Sequence, residues 1–500
     1  MAHVVPRVFQ LLLFCGLALE LSAAGTNSST AVRPDIADPI RFLNWTPPHA
    51  ASIAAFVHVN VIPMDNGSLE DHTVVVRDGH IRAIGPSAST PIPAHAQVID
   101  GRGKYLIPGL IDMRVHIYSP GEMLLYLANG ITTVRNLNGH PQHLLWRDKI
   151  NGRKMFGPTI LTAGPLVDTV ETAEQARRLV AEQSRAGYDA VEIGAHVSAE
   201  AFQASATTAR ALGVLLFGSV NANVGLKGTV RAPQFFSVER VGQFAALLFK
   251  GNPDTPEASI SEAAAEIEKA RLWFAPSLVA SANAIQEVED LPRLLRQPEI
   301  RYMEPWAQRD WNSPHTSWPK NLGSEKAEVN RRNFSFDERI VSVLHRAGVP
   351  MILGTDAMEV GTVPGFSVQK ELANLVEAGL TPFEALQTAT RNASNWFVHP
   401  EGGGVFGAIT LGGRADLVLL DADPLADITN VSKIRGVMVQ GRWLPKAELQ
   451  RMLEALPVAF RRQRELGRSN KFTLISKRLT APRSLSKKRR SMISVFNCWT

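Results

Sequence analysis

The sequence predicts an α/β protein: a (β/α)8 TIM barrel joined to a β-sandwich that the N- and C-terminal segments build together. Two observations lead to this fold class. The middle of the chain alternates short apolar runs with segments of helical periodicity, and about eight such units over roughly 300 residues are typical of a parallel barrel. β-rich segments with turn residues flank this region on both sides, which favours one β unit made from both ends of the chain.

The first segment, Met1–Gly25, is typical of an export signal. Arg7 provides a positive start, Val8–Leu19 is mostly apolar, and residues 22–24 are small enough for cleavage after them. A membrane anchor is the alternative interpretation, but the apolar run is short for a bilayer span. We therefore expect a signal peptide over residues 1–24 and an exported protein without a stable membrane span after cleavage.

Residues 25–107 are predicted to form the N-terminal part of the sandwich. Val74–Arg77 and His80–Gly85 are β-rich runs around Asp78-Gly79, which is the signature of a two-residue hairpin turn. Ala96–Gly103 predicts a further strand and turn. The C-terminal part, residues 406–445, adds the β-rich pieces Gly407–Ile409, Arg414–Asp421 and Val437–Gly441.

Residues 108–405 are predicted to form the barrel. Helical periodicity occurs at Glu171–Ala186, Ala199–Leu212 and Glu262–Arg271. These segments separate apolar runs that we predict to be parallel strands. The eight predicted strands are Leu110–His116, Thr132–Leu137, Thr159–Ala163, Ala190–Gly194, Val214–Val220, Gln234–Glu239, Leu272–Leu278 and Pro350–Asp356.

A long polar stretch, Ser281–Phe336, exceeds an ordinary connection between barrel elements. We interpret it as a helical excursion that covers the mouth of the barrel. Residues 446–500 are predicted to form a terminal helix, from Lys446 to Gly467, followed by a basic tail.

The formal net charge of +6 comes from this end of the chain. Residues 461–490 contain 12 Lys or Arg and one acid, and the rest of the chain has a formal charge of −5. The body is therefore mildly acidic, which argues against nucleic acid as a partner. Cys15 and Cys498 are the only cysteines, so the sequence excludes a disulfide framework and a thiolate metal site.

Several polar residues that could act in catalysis or binding lie at the ends of predicted strands. In the run Pro108–His116, residues two apart point the same way, so we expect Asp112, Arg114 and His116 to share the face that looks into the barrel mouth. Asp356 ends the last predicted strand. An acid at the carboxyl end of a barrel strand is a catalytic candidate by its position.

The run Pro108–His116 resembles the first barrel strand of the amidohydrolase superfamily, whose pattern Pro-Gly-(Leu/Phe)-(Ile/Val)-Asp-x-His-x-His carries two metal-binding histidines. Gly354–Trp396 is similar to the last strand and following helices of the imidazolonepropionase-like branch. Gly412–Val418 and Asp423–Leu425 are similar to its returning sandwich. This resemblance implies hydrolysis of a non-peptide carbon–nitrogen bond in a small molecule, such as a cyclic amide or imide or an acylated amino acid.

The same resemblance implies a divalent metal, with zinc as the first choice. The family uses two histidines on the first strand, a carboxylated lysine on the fourth, one histidine on each of the fifth and sixth, and an aspartate on the eighth. Only His116 and Asp356 match this set, and Arg114, Ser219 and Arg240 are substituted positions. In the family's order, the residues of this chain are Arg114, His116, Glu192, Ser219, Arg240 and Asp356.

Two hypotheses follow for the site. In the first, His116, Glu192 and Asp356 hold one metal ion completed by water, and Asp356 passes a proton to the leaving nitrogen. His196 is a further candidate ligand in this hypothesis. In the second, Arg114 and Arg240 replace the missing cations, pair with Glu192 and Asp356, and leave the site without a metal.

The sequence accordingly predicts a hydrolase with a reduced metal site or, alternatively, a metal-free pseudoenzyme that binds a small molecule or a partner through the barrel mouth. No histidine lies between His196 and His315, so the fifth and sixth strands cannot supply one. The sequence leaves the substrate, the metal and the oligomeric state open.

Overall fold

The computed structural model describes residues 43–65, 67–312, 323–397 and 406–480, with the backbone alone at 323–325 and 466–480. The predicted signal segment and residues 481–500 of the basic tail lie outside the described residues. The strands are β1 (Ile53–Val61), β2 (Leu69–Arg77), β3 (His80–Pro86), β4 (Gln97–Asp100), β5 (Tyr105–Pro108), β6 (Leu110–Val115), β7 (Ile131–Asn136), β8 (Thr159–Thr162), β9 (Ala190–Ile193), β10 (Leu215–Gly218), β11 (Phe235–Glu239), β12 (Trp273–Ala275), β13 (Leu417–Leu420), β14 (Ile434–Val439) and β15 (Arg442–Pro445).

The two ends of the chain meet in one mixed sheet of eight strands. Its order is β15-β14-β13-β5-β1-β2-β3, and β4 pairs with β1. The link between the ends is the antiparallel pairing of β13 with β5. The apolar side chains of this sheet, among them Phe56, Leu106, Leu417 and Trp443, pack into a core of their own. The predicted association of both ends in one β unit is therefore confirmed.

The predicted hairpin is also present. β2 and β3 pair antiparallel, with Arg77 opposite His80. Asp78 and Gly79 connect them with φ angles of 52° and 76°. Positive φ at both central residues is what a tight hairpin turn matched to the strand twist requires, so this dipeptide sets the register of the pair.

The middle of the described chain contains seven parallel strands in two sheets. One sheet has the order β6-β7-β8 and the other β12-β11-β10-β9, and a parallel bridge between Ala163 and Ala190 joins them. All seven lie within a few residues of predicted strands. A layer of apolar side chains, including Met113, Phe217 and Ile352, packs between them.

The eighth predicted strand, Pro350–Asp356, is not a continuous strand. Only single parallel bridges form, from Met351 to Phe274 and from Ala357 to Val115. Asp356 has a φ of 59°, which interrupts an extended backbone. The segment nevertheless exchanges backbone hydrogen bonds with both neighbours. These are Ile352 N to Phe274 O at 3.0 Å, Met113 N to Leu353 O at 2.8 Å and Asp356 N to Arg114 O at 2.9 Å.

The expectation that Asp112 shares a face with Arg114 and His116 is wrong. The pairing of β6 with β7 shifts its register between Asp112 and Val115, and such an irregularity lets successive side chains leave strict alternation. The Asp112 carboxylate accepts hydrogen bonds from Thr355 N at 3.0 Å and Thr355 Oγ1 at 2.6 Å. Its electrostatic neighbours include Glu371 on a covering helix as well as Asp356. Its Oδ1 accepts from the backbone N of Arg114 at 3.2 Å rather than from the Arg114 guanidinium.

Helices alternate with the parallel strands. Two of the predicted helices begin at a side-chain cap. The Thr172 side chain accepts a hydrogen bond from Gln175 N, and the Ser198 side chain accepts one from Ala201 N. Both end at a glycine of positive φ. The helices are α1 (Pro120–Ala128), α2 (Pro141–Asn151), α3 (Ala173–Ala186), α4 (Ala199–Leu212), α5 (Gly225–Val230), α6 (Val241–Phe249), α7 (Glu257–Lys269), α8 (Leu278–Leu294), α9 (Pro305–Trp311), α10 (Gly323–Arg346), α11 (Phe366–Glu377), α12 (Pro382–Thr388), α13 (Arg391–Phe397) and α14 (Lys446–Thr480), with 3-10 turns at Pro298–Tyr302 and Ile428–Ser432.

The predicted excursion is helical where it is described, and it comprises α8, α9 and α10. It contacts the segments that follow two site residues. Trp306 packs edge-on against Tyr118, with ring centroids 5.7 Å apart, and Trp311 Nε1 donates to Met358 O at 3.1 Å. Tyr118 lies two residues after His116, and Met358 lies two residues after Asp356. The excursion therefore lies over the carboxyl ends of the strands. Among the described helices, none has the length and apolarity to cross a bilayer.

Candidate functional site

Arg114, on β6, is the centre of the site. Its Nε donates to Asp356 Oδ1 at 3.0 Å. Its Nη1 lies 3.5 Å from Glu239 Oε2 and 4.0 Å from Glu192 Oε1. The side chain is 8% exposed. Burial by itself lowers the pKa of Arg114, but the three carboxylates outweigh it and raise the pKa above its ordinary value, so this guanidinium is permanently charged.

Gly354 allows this arrangement. A Cβ at residue 354 would come within 2.6 Å of the Arg114 Cβ, a distance that real Cβ contacts do not tolerate. The absent side chain lets the segment that carries Asp356 approach β6 closely. The glycine before Thr355-Asp356 is therefore part of what brings the carboxylate to the guanidinium.

Asp356 joins three of the residues that sequence reasoning singled out. Besides Arg114, its carboxylate contacts Arg240 Nε through Oδ2 at 3.2 Å and His116 Nε2 through Oδ1 at 3.4 Å. The side chain is 1% exposed. Burial raises the pKa of Asp356, but the charges of Arg114 and Arg240 together with His116 outweigh burial and hold the pKa below its ordinary value. Asp356 is therefore an anion throughout the physiological range.

Two residues of the site were missed by the sequence predictions. Glu239, at the end of β11, accepts from Arg135 Nη2 with both carboxylate oxygens at 2.8 Å. Arg135, on β7, is buried with its guanidinium 4.1 Å from the ring centre of Phe217 and 4.5 Å from that of Trp396. A signal was present in the sequence, since a charged residue in the apolar run of β7 needs a buried partner.

These side chains form one network, which we call the charge cluster. It has three guanidiniums and three carboxylates, so its formal charge is zero. Most of it is buried, and its contacts run from β6, β7, β9 and β11 to the segment after Gly354. The charge cluster consists of Arg114, Arg135, Arg240, Glu192, Glu239 and Asp356.

Other predicted site residues lie outside the charge cluster. Ser219 Oγ donates to Gln243 Oε1 at 2.5 Å. His196 is half-exposed, and its Nδ1 lies 3.8 Å from Asp168 Oδ2. His116 is 25% exposed and lines a cavity of about 10 Å³ together with Tyr118 and His143, which is room for one water molecule.

His143 is not available as a ligand in this cavity. Its Nδ1 accepts from His140 N at 2.8 Å, and its Nε2 lies 2.7 Å from Ile117 O. Both ring nitrogens are therefore engaged, in the tautomer that protonates Nε2. Burial lowers the pKa of His143 to about 4, so the imidazole is neutral.

The residues present do not fit the metal centre that the resemblance implies. A guanidinium has donors only and cannot coordinate a cation. Arg114 nevertheless contacts both Asp356 and Glu192, two of the three predicted ligands. Across the described ranges, no group of three or more His, Cys, Asp or Glu side chains has an arrangement that could hold a metal ion. The donor set therefore offers salt bridges where metal coordination was expected.

Comparison with known proteins finds similarity to one family over part of the chain. The model of the amidohydrolase family matches residues 251–444, a range that includes Asp356 and begins after β11. A dihydroorotase of Trichlorobacter lovleyi is 44% identical over 61 residues, which are 12% of this chain and 14% of that protein. An imidazolonepropionase of Methylobacterium nodulans is 39% identical over 56 residues, which are 11% of this chain and 14% of that protein. The chain thus matches about one seventh of the length of these curated relatives.

Solved structures extend the similarity to most of the chain. Bottromycin amidohydrolase superposes with a TM-score of 0.68 and 23% sequence identity, over 85% of this chain and 94% of that one. At this identity the likeness concerns the fold. The family model and the two curated relatives thus show similarity to amidohydrolases over part of the chain, and the solved structure shows the same fold over most of it; together they support the resemblance to the amidohydrolase superfamily and its imidazolonepropionase-like branch.

Proposed function

We propose that this chain is a metal-independent member of the superfamily that binds a small molecule at the carboxyl ends of its parallel strands and does not hydrolyse it. The observation that carries the proposal is the position of the Arg114 guanidinium, which contacts Asp356, Glu239 and Glu192 at 3.0–4.0 Å. In a site built for a divalent ion, carboxylates face the cation. Here they face a fixed guanidinium.

We further propose that the parallel segments close into a (β/α)8 barrel. Support comes from the single bridges of Met351 to β12 and of Ala357 to β6, together with the hydrogen bonds on both sides of the segment 350–357. In such a barrel the ligand site lies at the carboxyl ends of the strands. That is where the charge cluster and the half-open residues His116 and Arg240 are found.

Electroneutrality of the charge cluster supports the absence of a metal. Three guanidiniums already balance three carboxylates, so a divalent cation entering the site adds two uncompensated charges to a mostly buried region. It also has to displace Arg114 from Asp356, because the two occupy one hydrogen bond at 3.0 Å. Both effects oppose metal binding.

The purified full-length protein is expected to contain substoichiometric zinc, iron and manganese by elemental analysis. Dialysis against EDTA is expected to leave its melting temperature unchanged, since salt bridges rather than a metal hold the charge cluster. Turnover of a panel of cyclic amides and acylated amino acids is expected to be absent. One tightly bound metal ion per chain, with a melting temperature that falls on chelation, contradicts the proposal.

Restoring imidazoles at the substituted positions provides a gain-of-function test. The triple variant Arg114→His, Ser219→His and Arg240→His removes two cations and adds three ligands. We expect it to bind zinc measurably in calorimetry where the natural protein does not. The matched control places three histidines at the exposed positions Arg102, Ser89 and Arg346, and zinc binding equal to that of the control contradicts the positional assignment.

A second candidate function is hydrolysis of a non-peptide carbon–nitrogen bond, as the names dihydroorotase and imidazolonepropionase describe for the relatives. The specific observation in its favour is that His116 and Asp356, which match the family pattern, lie in contact at 3.4 Å. Turnover of the same panel that depends on added zinc, and that Asp356→Asn abolishes, favours this function over ligand binding alone.

A further inference from the structure

A surface cavity lies between α10 and the segment that joins α6 to α7. Its volume is about 530 Å³, which is within the range of pockets that hold small molecules. Pro253 lines it from the joining segment, and α10 provides the other lining residues. None of them belongs to the charge cluster. The lining residues of α10 are Glu328, Arg331, Arg332, Ser335, Phe336 and Arg339.

Three polar side chains of the cavity follow one face of α10. Arg332, Ser335 and Arg339 are separated by three and four residues along the helix, a spacing that places side chains above one another. Arg332 and Ser335 are exposed, and Arg339 is half-buried. Two guanidiniums and the hydroxyl between them can therefore contact a single bound molecule.

Arg339 is held in place and keeps unused hydrogen-bond donors. Its Nη2 donates to Pro253 O at 2.7 Å and to Thr255 O at 2.9 Å, and its guanidinium lies 5.2 Å from the ring centre of Phe336. A guanidinium carries five N–H donors, so those of Nε and Nη1 remain. The Nε is buried without a hydrogen-bond partner among the described residues. An unsatisfied buried donor costs free energy, which an oxyanion at this edge offsets.

The charges of Arg332 and Arg339 have no carboxylate beside them. In the part of the chain that the structure describes, neither guanidinium forms an ion pair. Arg331 differs, because it pairs with Glu289 on α8 and, at 3.0 Å, with Glu328. The cavity therefore presents two guanidiniums that are free to pair with an anion. Guanidiniums bind phosphate oxygens through two parallel hydrogen bonds.

We propose that this cavity binds a small phosphate monoester, with the phosphate between Arg332 and Arg339 and a hydrogen bond from Ser335. The number of unpaired guanidiniums selects the charge, because a phosphate monoester carries a charge of about −2 at pH 7 and a carboxylate carries one negative charge. The cavity of about 530 Å³ selects an ester over the bare ion, since it leaves room beside the phosphate. Phe336 and Pro253 provide an apolar wall for the organic part.

The test measures binding to the full-length protein by calorimetry at pH 7. Glycerol 3-phosphate is the probe, and inorganic phosphate, acetate and glycerol are the comparisons. The ester is expected to bind most tightly, inorganic phosphate more weakly because it leaves the apolar wall uncovered, and acetate more weakly still because it carries one charge. Glycerol is not expected to bind.

Two variants are expected to change the affinity in opposite directions. Arg332→Gln removes a guanidinium that makes no hydrogen bond or ion pair among the described residues, and we expect it to weaken binding of the ester about tenfold. Glu328→Gln removes the carboxylate that lines the cavity, and we expect it to strengthen binding about threefold. Because Arg332 supports no other side chain, its replacement is expected to leave the melting temperature unchanged.

The exposed pair Arg346 and Glu257 lies outside the cavity, with Nη2 and Oε1 2.6 Å apart, and provides the matched controls. Arg346→Gln and Glu257→Gln are expected to leave binding of the ester unchanged. The inference is overturned if the ester binds no more tightly than acetate, or if Arg332→Gln and Glu328→Gln behave as their controls do. The proposed function fails separately, through a bound metal, because the cavity and the charge cluster share no residue.

Discussion

Replacing Asp356 by asparagine is expected to lower the free energy of unfolding by about 3–5 kcal/mol. The buried carboxylate contacts Arg114 at 3.0 Å and Arg240 at 3.2 Å. Asparagine preserves the shape and removes the charge, so two guanidiniums lose the anion between them and the charge cluster becomes positive. Urea denaturation of the natural protein and the variant at pH 7 measures the difference.

The matched control is Asp148→Asn. This aspartate is 68% exposed and lies 3.5 Å from Arg147, so the same substitution there is expected to change the free energy of unfolding by less than about 1 kcal/mol. If Asp356→Asn costs no more than the control, the charge cluster does not stabilise the fold. A large loss in both variants indicates that the pairing of each aspartate, rather than burial, decides the effect.

Replacing Asp112 by asparagine is expected to stabilise the protein above pH 7. Burial is the largest influence on Asp112 and raises its pKa to about 7, against the opposing hydrogen bonds from Thr355 and Arg114. Asparagine imitates the protonated acid. Its oxygen accepts from the backbone N–H groups of Arg114 and Thr355 as Oδ1 does. Oδ2 of the acid accepts from Thr355 Oγ1; the asparagine amide takes the place of Oδ2, and the threonine hydroxyl turns to accept from it.

The sign of the pH dependence follows from linkage. The pKa of Asp112 is raised from 3.8 in the unfolded chain to about 7 in the folded one. Its contribution to stability is therefore complete below about pH 4 and is lost as the pH rises to about 7, by about 4 kcal/mol in total. Burial likewise raises the pKa of Glu371 to about 8. The contribution of this acid to the free energy of unfolding therefore also falls with rising pH, up to about pH 8.

Unfolding free energies of the natural protein and Asp112→Asn between pH 4 and pH 9 test this expectation. The free energy of unfolding of the variant is expected to decline less steeply up to pH 7, and the remaining decline comes from the other buried acids with raised pKa values, Glu371, Asp337 and Glu122. Asp148→Asn is expected to retain the natural profile. Asp112 is ionised without penalty in the folded state if the variant is less stable than the natural protein at pH 8, or if its free energy of unfolding falls with pH as steeply as that of the natural protein.

Local signals in the sequence account for the elements that the structure contains. Asp78-Gly79 determines its hairpin because both residues tolerate positive φ. Thr172 and Ser198 begin their helices because their side chains cap the first turn. The last parallel segment was predicted less well, because the positive φ of Asp356 reflects its contacts with Arg114 and Arg240 rather than a local preference.

The site was predicted only in part, because the sequence shows which side chains stand at strand ends but not which of them contact each other. Asp356, Arg114, Arg240 and Glu192 could be named from their places at strand ends, and the structure brings them into one network. Glu239 could not be ranked above its neighbour Arg240, since one residue of register decides which side chain enters the network. Asp112 was assigned to the wrong face because the register shift after it depends on the pairing with β7.

The sequence by itself determined the order of strands and helices and the exchange of imidazoles for guanidiniums, because hydrophobic period and residue identity are local properties. Only the tertiary structure decided that three arginines and three carboxylates balance in a single largely buried network. It also decided that Arg240 alone of these six reaches solvent to a large extent. The physical reason is that charge balance and exposure depend on distances between residues up to 242 positions apart in the chain, and strand register and close backbone approach, as at Gly354, set those distances.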